Sequence, residues 1–118
     1  MVDSPNAAPT DPQSLQSCLN QLQACLQDRA TADRPAADIA ATIEPVYRRL
    51  SQALGAEQVA PARQSYLTEF HKQMRLLGTD IGFLKAAKKA ETRAQRLTSM
   101  TDRLQLLQRY YIAMTAVE

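Results

Sequence analysis

The chain has 118 residues, rich in Ala, Leu, Gln and Arg, with three glycines, no tryptophan and a formal net charge of +2. This length fits one domain, and the scarcity of β-branched and aromatic residues favours helices. The small charge argues against a dedicated nucleic-acid binder, the lack of Asn-Gly and Asp-Gly pairs argues against β-hairpins, and no stretch approaches the roughly 18 apolar residues of a membrane span.

The first helix is predicted to begin after Ser14, a good N-cap residue, and to run about five turns to the segment DRATADRP. Residues 1–13 precede it, contain three prolines and show no apolar period, so we expect a disordered tail before a single helical-bundle domain over 14–118. A second helix is predicted from Pro35 to Gly55. Pro45 lies inside it and predicts a kink or break near residues 42–44.

The third and fourth helices carry the strongest periodicity in the chain. One begins near Pro61 and extends for nearly 30 residues, and the other begins near Thr92; in both, apolar residues alternate at spacings of three and four. This pattern predicts a long antiparallel hairpin with a turn over residues 88–91. The expected fold is therefore all-α, an antiparallel bundle of about four helices with a long C-terminal helical hairpin.

Two cysteines and the N-terminal sequence indicate the compartment. Cys18 and Cys25 fall at apolar positions of the first helix, about 10.5 Å apart along its axis, beyond the ~7 Å that a disulfide can span. The start MVDSPNAAPTDPQ lacks a signal-peptide pattern. We expect reduced thiols in a cytoplasmic protein.

Gly78 and Gly82 lie inside the third helix, where each costs about 1 kcal/mol relative to alanine. Their spacing places them on one face, so bare backbone there would allow another element to approach closely. The predicted use is close packing by the first or second helix. A groove or a self-association face, which would make a homodimer, stays open as the alternative.

Cations cluster around the predicted hairpin turn. The residues concerned are Lys85, Lys88, Lys89, Arg93 and Arg96. Lysines in the last turn of a helix complement its dipole, but arginines in a first turn do not, which motivates the hypothesis that this turn binds an acidic partner. Nucleic acid is disfavoured because no aromatic residues interleave with these cations.

No catalytic or cofactor chemistry is indicated by the sequence. His71 is the one histidine, and no metal-ligand cluster or nucleophile with an adjacent base can be assembled around it. We expect a protein that is not an enzyme and that binds no cofactor or metal.

The segments RLLGTDIGFLKAAKK and TRAQRLTSMTDRLQLLQRYYIAM resemble the cyanobacterial heterocyst frequency control protein PatD family. The similar positions lie within residues 75–114, about a third of the chain, and are Arg75, Leu76, Leu77, Asp80, Phe83, Leu84, Ala86 and Ala87, then Asp102, Arg103, Leu104, Leu107, Arg109 and Tyr110. In this pattern Asp80 and Arg103 are expected to form a structural ion pair across the hairpin.

The resemblance implies a non-enzymatic regulator of heterocyst frequency and cell division that binds FtsZ and alters the assembly of its polymers. The N-terminal half shows no such similarity. Two alternatives stay open: a self-associating helical scaffold, and a weak nucleic-acid binder that uses the basic hairpin turn.

Overall fold

A computed structural model of the chain describes residues 14–28 and 33–116. Within these ranges the structure is all-α and contains four α-helices. The predicted N-terminal tail, residues 1–13, lies outside the described residues.

Helix α1 spans Leu15–Gln27 and begins as the sequence predicts. The Ser14 side chain accepts a hydrogen bond from the backbone N–H of Ser17 at 3.1 Å, which satisfies one of the unpaired donors of the first turn. The helix has 13 residues, or about 3.6 turns, and is shorter than the five turns expected.

Helix α2 spans Ala36–Gly55 and continues through Pro45 without a break. The missing backbone donor is tolerated because Ile43, Val46 and Leu50 on both sides of the proline are buried in the core. Of the two outcomes that the proline predicted, a kink or a break, the break does not occur.

The C-terminal hairpin is formed by α3, Gln64–Ala86, and α4, Ala90–Thr115. The chain at Pro61–Arg63 forms a separate 3₁₀ turn, so α3 has 23 residues instead of nearly 30. The connection covers residues 87–89, and α4 starts two residues earlier than predicted, because the backbone of Lys89 already accepts the first helical bond from Arg93 N–H.

The helices form a closed ring in which each contacts the next and α1 contacts α4. Paired contacts run in opposite directions along α2 and α3, since Glu44 meets Lys85 while Tyr47 meets Met74. Apolar residues of all four helices form one core. The largest fully buried side chains include Phe70, Leu19, Leu22, Ile39, Ile43, Leu50, Leu77, Leu84, Met100 and Leu107.

Candidate partner-binding surface

The end of the α3–α4 hairpin brings together the predicted cations and one exposed aromatic residue. We call this surface the hairpin tip. It comprises Phe83, Lys85, Lys88, Lys89, Arg93 and Arg96.

The buried carboxylate of Asp80 contacts Arg96 of the hairpin tip. Asp80 is 3% exposed, and its Oδ2 accepts a hydrogen bond from Arg103 Nε at 3.0 Å. Its Oδ1 lies 3.6 Å from Nη1 of Arg96. The contact predicted between Asp80 and Arg103 is thus present, and Arg96 joins it because residues seven apart on α4 share a face.

Arg96 also covers one face of the Phe83 ring, with its guanidinium carbon 4.7 Å from the ring centroid. Cation and ring attract at this distance. Phe83 is nevertheless 53% exposed, unusually open for a phenylalanine. Sequence reasoning did not select Phe83 as a site residue, although its place outside the heptad stripe was a signal that it would be exposed.

Lys85 is directed away from the turn and towards α2. Its Nζ lies 3.0 Å from Glu44 Oε2, with the lysine side chain 53% exposed. An exposed pair of this kind contributes little stability, ~0–1 kcal/mol. Lys85 therefore connects α3 to α2 through Glu44, and its charge also complements the dipole at the C-terminus of α3.

Lys88 and Lys89 are both exposed in the connection between α3 and α4. Neither forms an ion pair with any residue of the described ranges. Arg93 is half-buried in the first turn of α4. Of the five predicted cations, Lys85 and Arg96 thus form ion pairs within the bundle, whereas Lys88 and Lys89 are exposed at the turn. The fifth, Arg93, is intermediate in exposure.

The two glycines of α3 differ in their surroundings. Tyr47 of α2 donates a hydrogen bond from its hydroxyl to the backbone carbonyl of Met74 at 2.9 Å. A Cβ atom at Gly78 would lie 2.6 Å from that hydroxyl, whereas a Cβ atom at Gly82 would meet nothing within 4 Å. Close packing is therefore present at Gly78, through a side chain of α2, and absent at Gly82.

The phenol of Tyr47, which lies beside Gly78, is partly removed from water. Desolvation raises the pKa of Tyr47 above its usual value of 10.0, and a hydrogen bond with Ser51 opposes part of that rise. The neutral phenol is thus the form that the α2–α3 contact favours. Tyr47 was not recognised from the sequence, because its partner lies 27 residues away.

Few side chains in the described residues are arranged as in a catalytic or metal site. Within residues 14–28 and 33–116, no three His, Cys, Asp or Glu side chains lie together as metal ligands would. His71 is exposed on α3. Within the same ranges, no helix is both long enough and apolar enough to cross a membrane.

Residues 13–112 match the family described as the CRR41 C-terminal domain, so the chain belongs to that family. No curated protein matches the chain, and no solved structure matches it. The family that is found differs in name from the PatD family, and nothing in these comparisons links the chain to PatD.

Proposed function

We propose that this member of the CRR41 C-terminal domain family is a non-catalytic protein-binding bundle whose hairpin tip binds an acidic surface of another protein. The observation that carries the proposal is that the exposed Lys88 and Lys89 follow directly after the last turn of α3, which carries the exposed ring of Phe83. Charged residues steer a partner and an aromatic residue anchors it, which is the usual division of roles in protein interfaces.

The hairpin tip is prepared for binding in two ways. Asp80 holds the Arg96 guanidinium, and Arg96 in turn stacks on Phe83, so part of this surface has little side-chain freedom left to lose. The two lysines have no ion pair in the described ranges that a partner would have to break. A partner carboxylate therefore gains their attraction without competition from this chain.

Nucleic acid fits the hairpin tip less well than an acidic protein does. A base would stack on an open aromatic face, but Arg96 covers one face of Phe83. The net charge of +2 also gives little long-range attraction for a polyanion.

A narrower proposal names the partner as FtsZ and the role as control of heterocyst frequency and cell division. It rests on the similarity of residues 75–114 to the PatD pattern, in which Asp80, Phe83 and Arg103 are shared positions. Asp80 contacts both Arg103 and Arg96, and Arg96 stacks on Phe83. A partner site at this end would therefore use the part of the chain that carries the similarity.

The test is co-sedimentation of the purified protein with FtsZ polymers from the source organism, at two salt concentrations. The wild type should pellet with the polymers, and less so at high salt, because exposed charges are screened. A double variant, Lys88→Glu with Lys89→Glu, should remain in the supernatant.

The matched control is Arg48→Glu with Lys72→Glu. Both residues are exposed, on α2 and α3, neither belongs to the PatD-like pattern, and the change in charge is the same. Wild type that never pellets would remove FtsZ as the partner. Equal loss in both double variants would contradict a site at the hairpin tip.

A further inference from the structure

One side of the bundle is almost free of charge. Helix α1 contains no Asp, Glu, Lys or Arg in its 13 residues. In α4 the stretch from Leu104 to Thr115 contains a single charged residue, Arg109, which is exposed. Globular surfaces ordinarily carry roughly a quarter to a third charged residues, so this composition is unusual for two helices that both face solvent.

These two stretches lie side by side. Gln108 donates a hydrogen bond from Nε2 to Oε1 of Gln23 at 2.9 Å. Gln16, earlier in α1, lies beside Tyr111 and Ile112, later in α4, so the helices run antiparallel and their charge-free segments are in register. We call this surface the neutral face. Its residues include the exposed Asn20, Gln105, Arg109 and Ile112 and the half-buried Gln16, Gln23 and Gln108.

The neutral face carries a projecting isoleucine next to a depression. Ile112 is 67% exposed, the most open of the large apolar residues in the described ranges. It forms one wall of an open cavity of about 240 Å³, whose other lining residues are Gln16, Leu19, Gln108 and Tyr111. An apolar projection beside an apolar-floored cavity is a shape that can complement a copy of itself.

We infer that the neutral face binds the same face of a second copy of this chain. In a two-fold symmetric dimer each surface meets itself, so any charge near the axis faces a like charge and repels it. The neutral face carries little of this cost, because Arg109, one turn from Gln105 and Ile112 on α4, is the one charged residue in the two stretches, and the other side chains are amides, hydroxyls and apolar groups. Depletion of charge at the centre of a contact is also the compositional mark of protein interfaces.

In this arrangement Ile112 of each copy lies over the cavity of the other, and the amides around it exchange hydrogen bonds across the two-fold axis. This surface is distinct from the glycine-bearing face of α3 considered as a self-association site on the basis of the sequence. At that face Tyr47 already occupies the space beside Gly78, and Lys85 and Glu44 are paired nearby.

The hairpin tip lies at the other end of α4. Lys89 and Ile112 are 23 residues apart, about 35 Å along a helix at 1.5 Å per residue. A dimer through the neutral face therefore leaves both hairpin tips accessible, which would give the protein two equivalent partner sites. Dimerisation itself does not depend on what the hairpin tip binds.

Sedimentation equilibrium of the wild type and of Ile112→Glu tests the inference. Wild type should approach the mass of two chains as concentration rises, and Ile112→Glu should stay at the mass of one. Tyr66→Glu is the control, because Tyr66 is also an exposed large apolar residue, on α3. Wild type that stays monomeric up to ~1 mM, where even an association of about 4 kcal/mol is visible, would overturn the inference.

A charge-exchange experiment separates lost pairing from lost folding. One variant carries Asn20→Lys with Gln105→Lys, and the other carries Asn20→Glu with Gln105→Glu; both parent side chains are exposed. Each variant alone should be a folded monomer by circular dichroism and mass. An equimolar mixture should form a heterodimer, and a mixture that remains monomeric would contradict the inference.

Discussion

Helix α4 has two sides that are stabilised in different ways. Towards α3 it supplies Arg96 and Arg103 to the buried Asp80, and α3 is in turn fixed to α2 by Tyr47; we call this the locked side. Towards α1 it presents amides, with one hydrogen bond between Gln108 and Gln23 and an open cavity. One side depends on a few buried polar groups and the other on none.

This difference has consequences for both stability and function. A buried charge with two partners is costly to disturb, because removing it leaves cations without compensation. Partly exposed amides can bond to water instead, so each can be replaced at little cost. We therefore expect single changes to lower the stability of the folded chain strongly on the locked side and weakly on the neutral face.

The largest effect is expected for Asp80→Ala. Losing one partner of a fully buried ion pair costs about 3–5 kcal/mol, and the arginines here are about one-third exposed, so the free energy of unfolding should fall by ~2–3 kcal/mol. Urea denaturation measures this. Asp102→Ala, an exposed aspartate on α4, is the control and should change stability by ~0.5 kcal/mol or less. Equal effects of the two changes would contradict the claim that Asp80 stabilises the contact between α3 and α4.

Two glycine substitutions compare a closed position with an open one. Gly82→Ala should stabilise the protein by ~0.5–1 kcal/mol, because alanine favours the helix and its Cβ meets nothing within 4 Å. Gly78→Ala gains the same propensity but displaces the Tyr47 hydroxyl from the Met74 carbonyl, losing a bond of about 1 kcal/mol together with its packing. Thermal melting should place the Gly78 variant below the Gly82 variant, and the reverse order would contradict the assigned contact.

Alkaline titration tests the Tyr47 contact separately. Burial raises the pKa of Tyr47 above 10.0, so the unfolded chain loses the phenolic proton at a lower pH than the folded chain does. The stability from this group is complete below pH 10 and is lost as pH rises through the folded pKa. The stability difference between wild type and Tyr47→Phe should therefore shrink between pH 9 and pH 11. A constant difference would argue against partial burial of the Tyr47 phenol.

The smallest effect is expected on the neutral face. Gln23→Ala removes the hydrogen bond to Gln108 between two half-buried side chains, so the unfolding free energy should fall by only ~0.5–1 kcal/mol. Chemical denaturation at a concentration below dimer formation checks this. A decrease in unfolding free energy as large as that of Asp80→Ala would contradict the proposed difference between the two sides of α4.

The fold could be predicted from the sequence because its signals are local. Apolar spacing predicted the helices and Ser14 predicted the start of α1. The contact of Asp80 with Arg103 was expected instead from the similarity of residues 75–114 to the PatD pattern. The start of α3 was predicted near Pro61 and lies at Gln64, since the same proline can begin an α-helix or a 3₁₀ turn.

The surfaces could be predicted less completely, because they depend on contacts between distant residues. No local pattern distinguishes Gly78 from Gly82; the difference arises from the position of Tyr47 on another helix. Likewise, the cation cluster did not show that Arg96 would be held by Asp80 while Lys88 and Lys89 remain exposed. The absence of charge in α1 was visible in the sequence, but its alignment with the neutral stretch of α4 was not.

Site-specific photo-crosslinking in cells of the source organism tests the central claim, that the hairpin tip contacts another protein, most directly. A photoreactive residue replacing Lys89 should crosslink to a different protein, and the same residue replacing Asn20 on the neutral face should crosslink to a second copy of the chain. A tip position that yields no more crosslinked product than the exposed α3 position Lys72 would contradict the account.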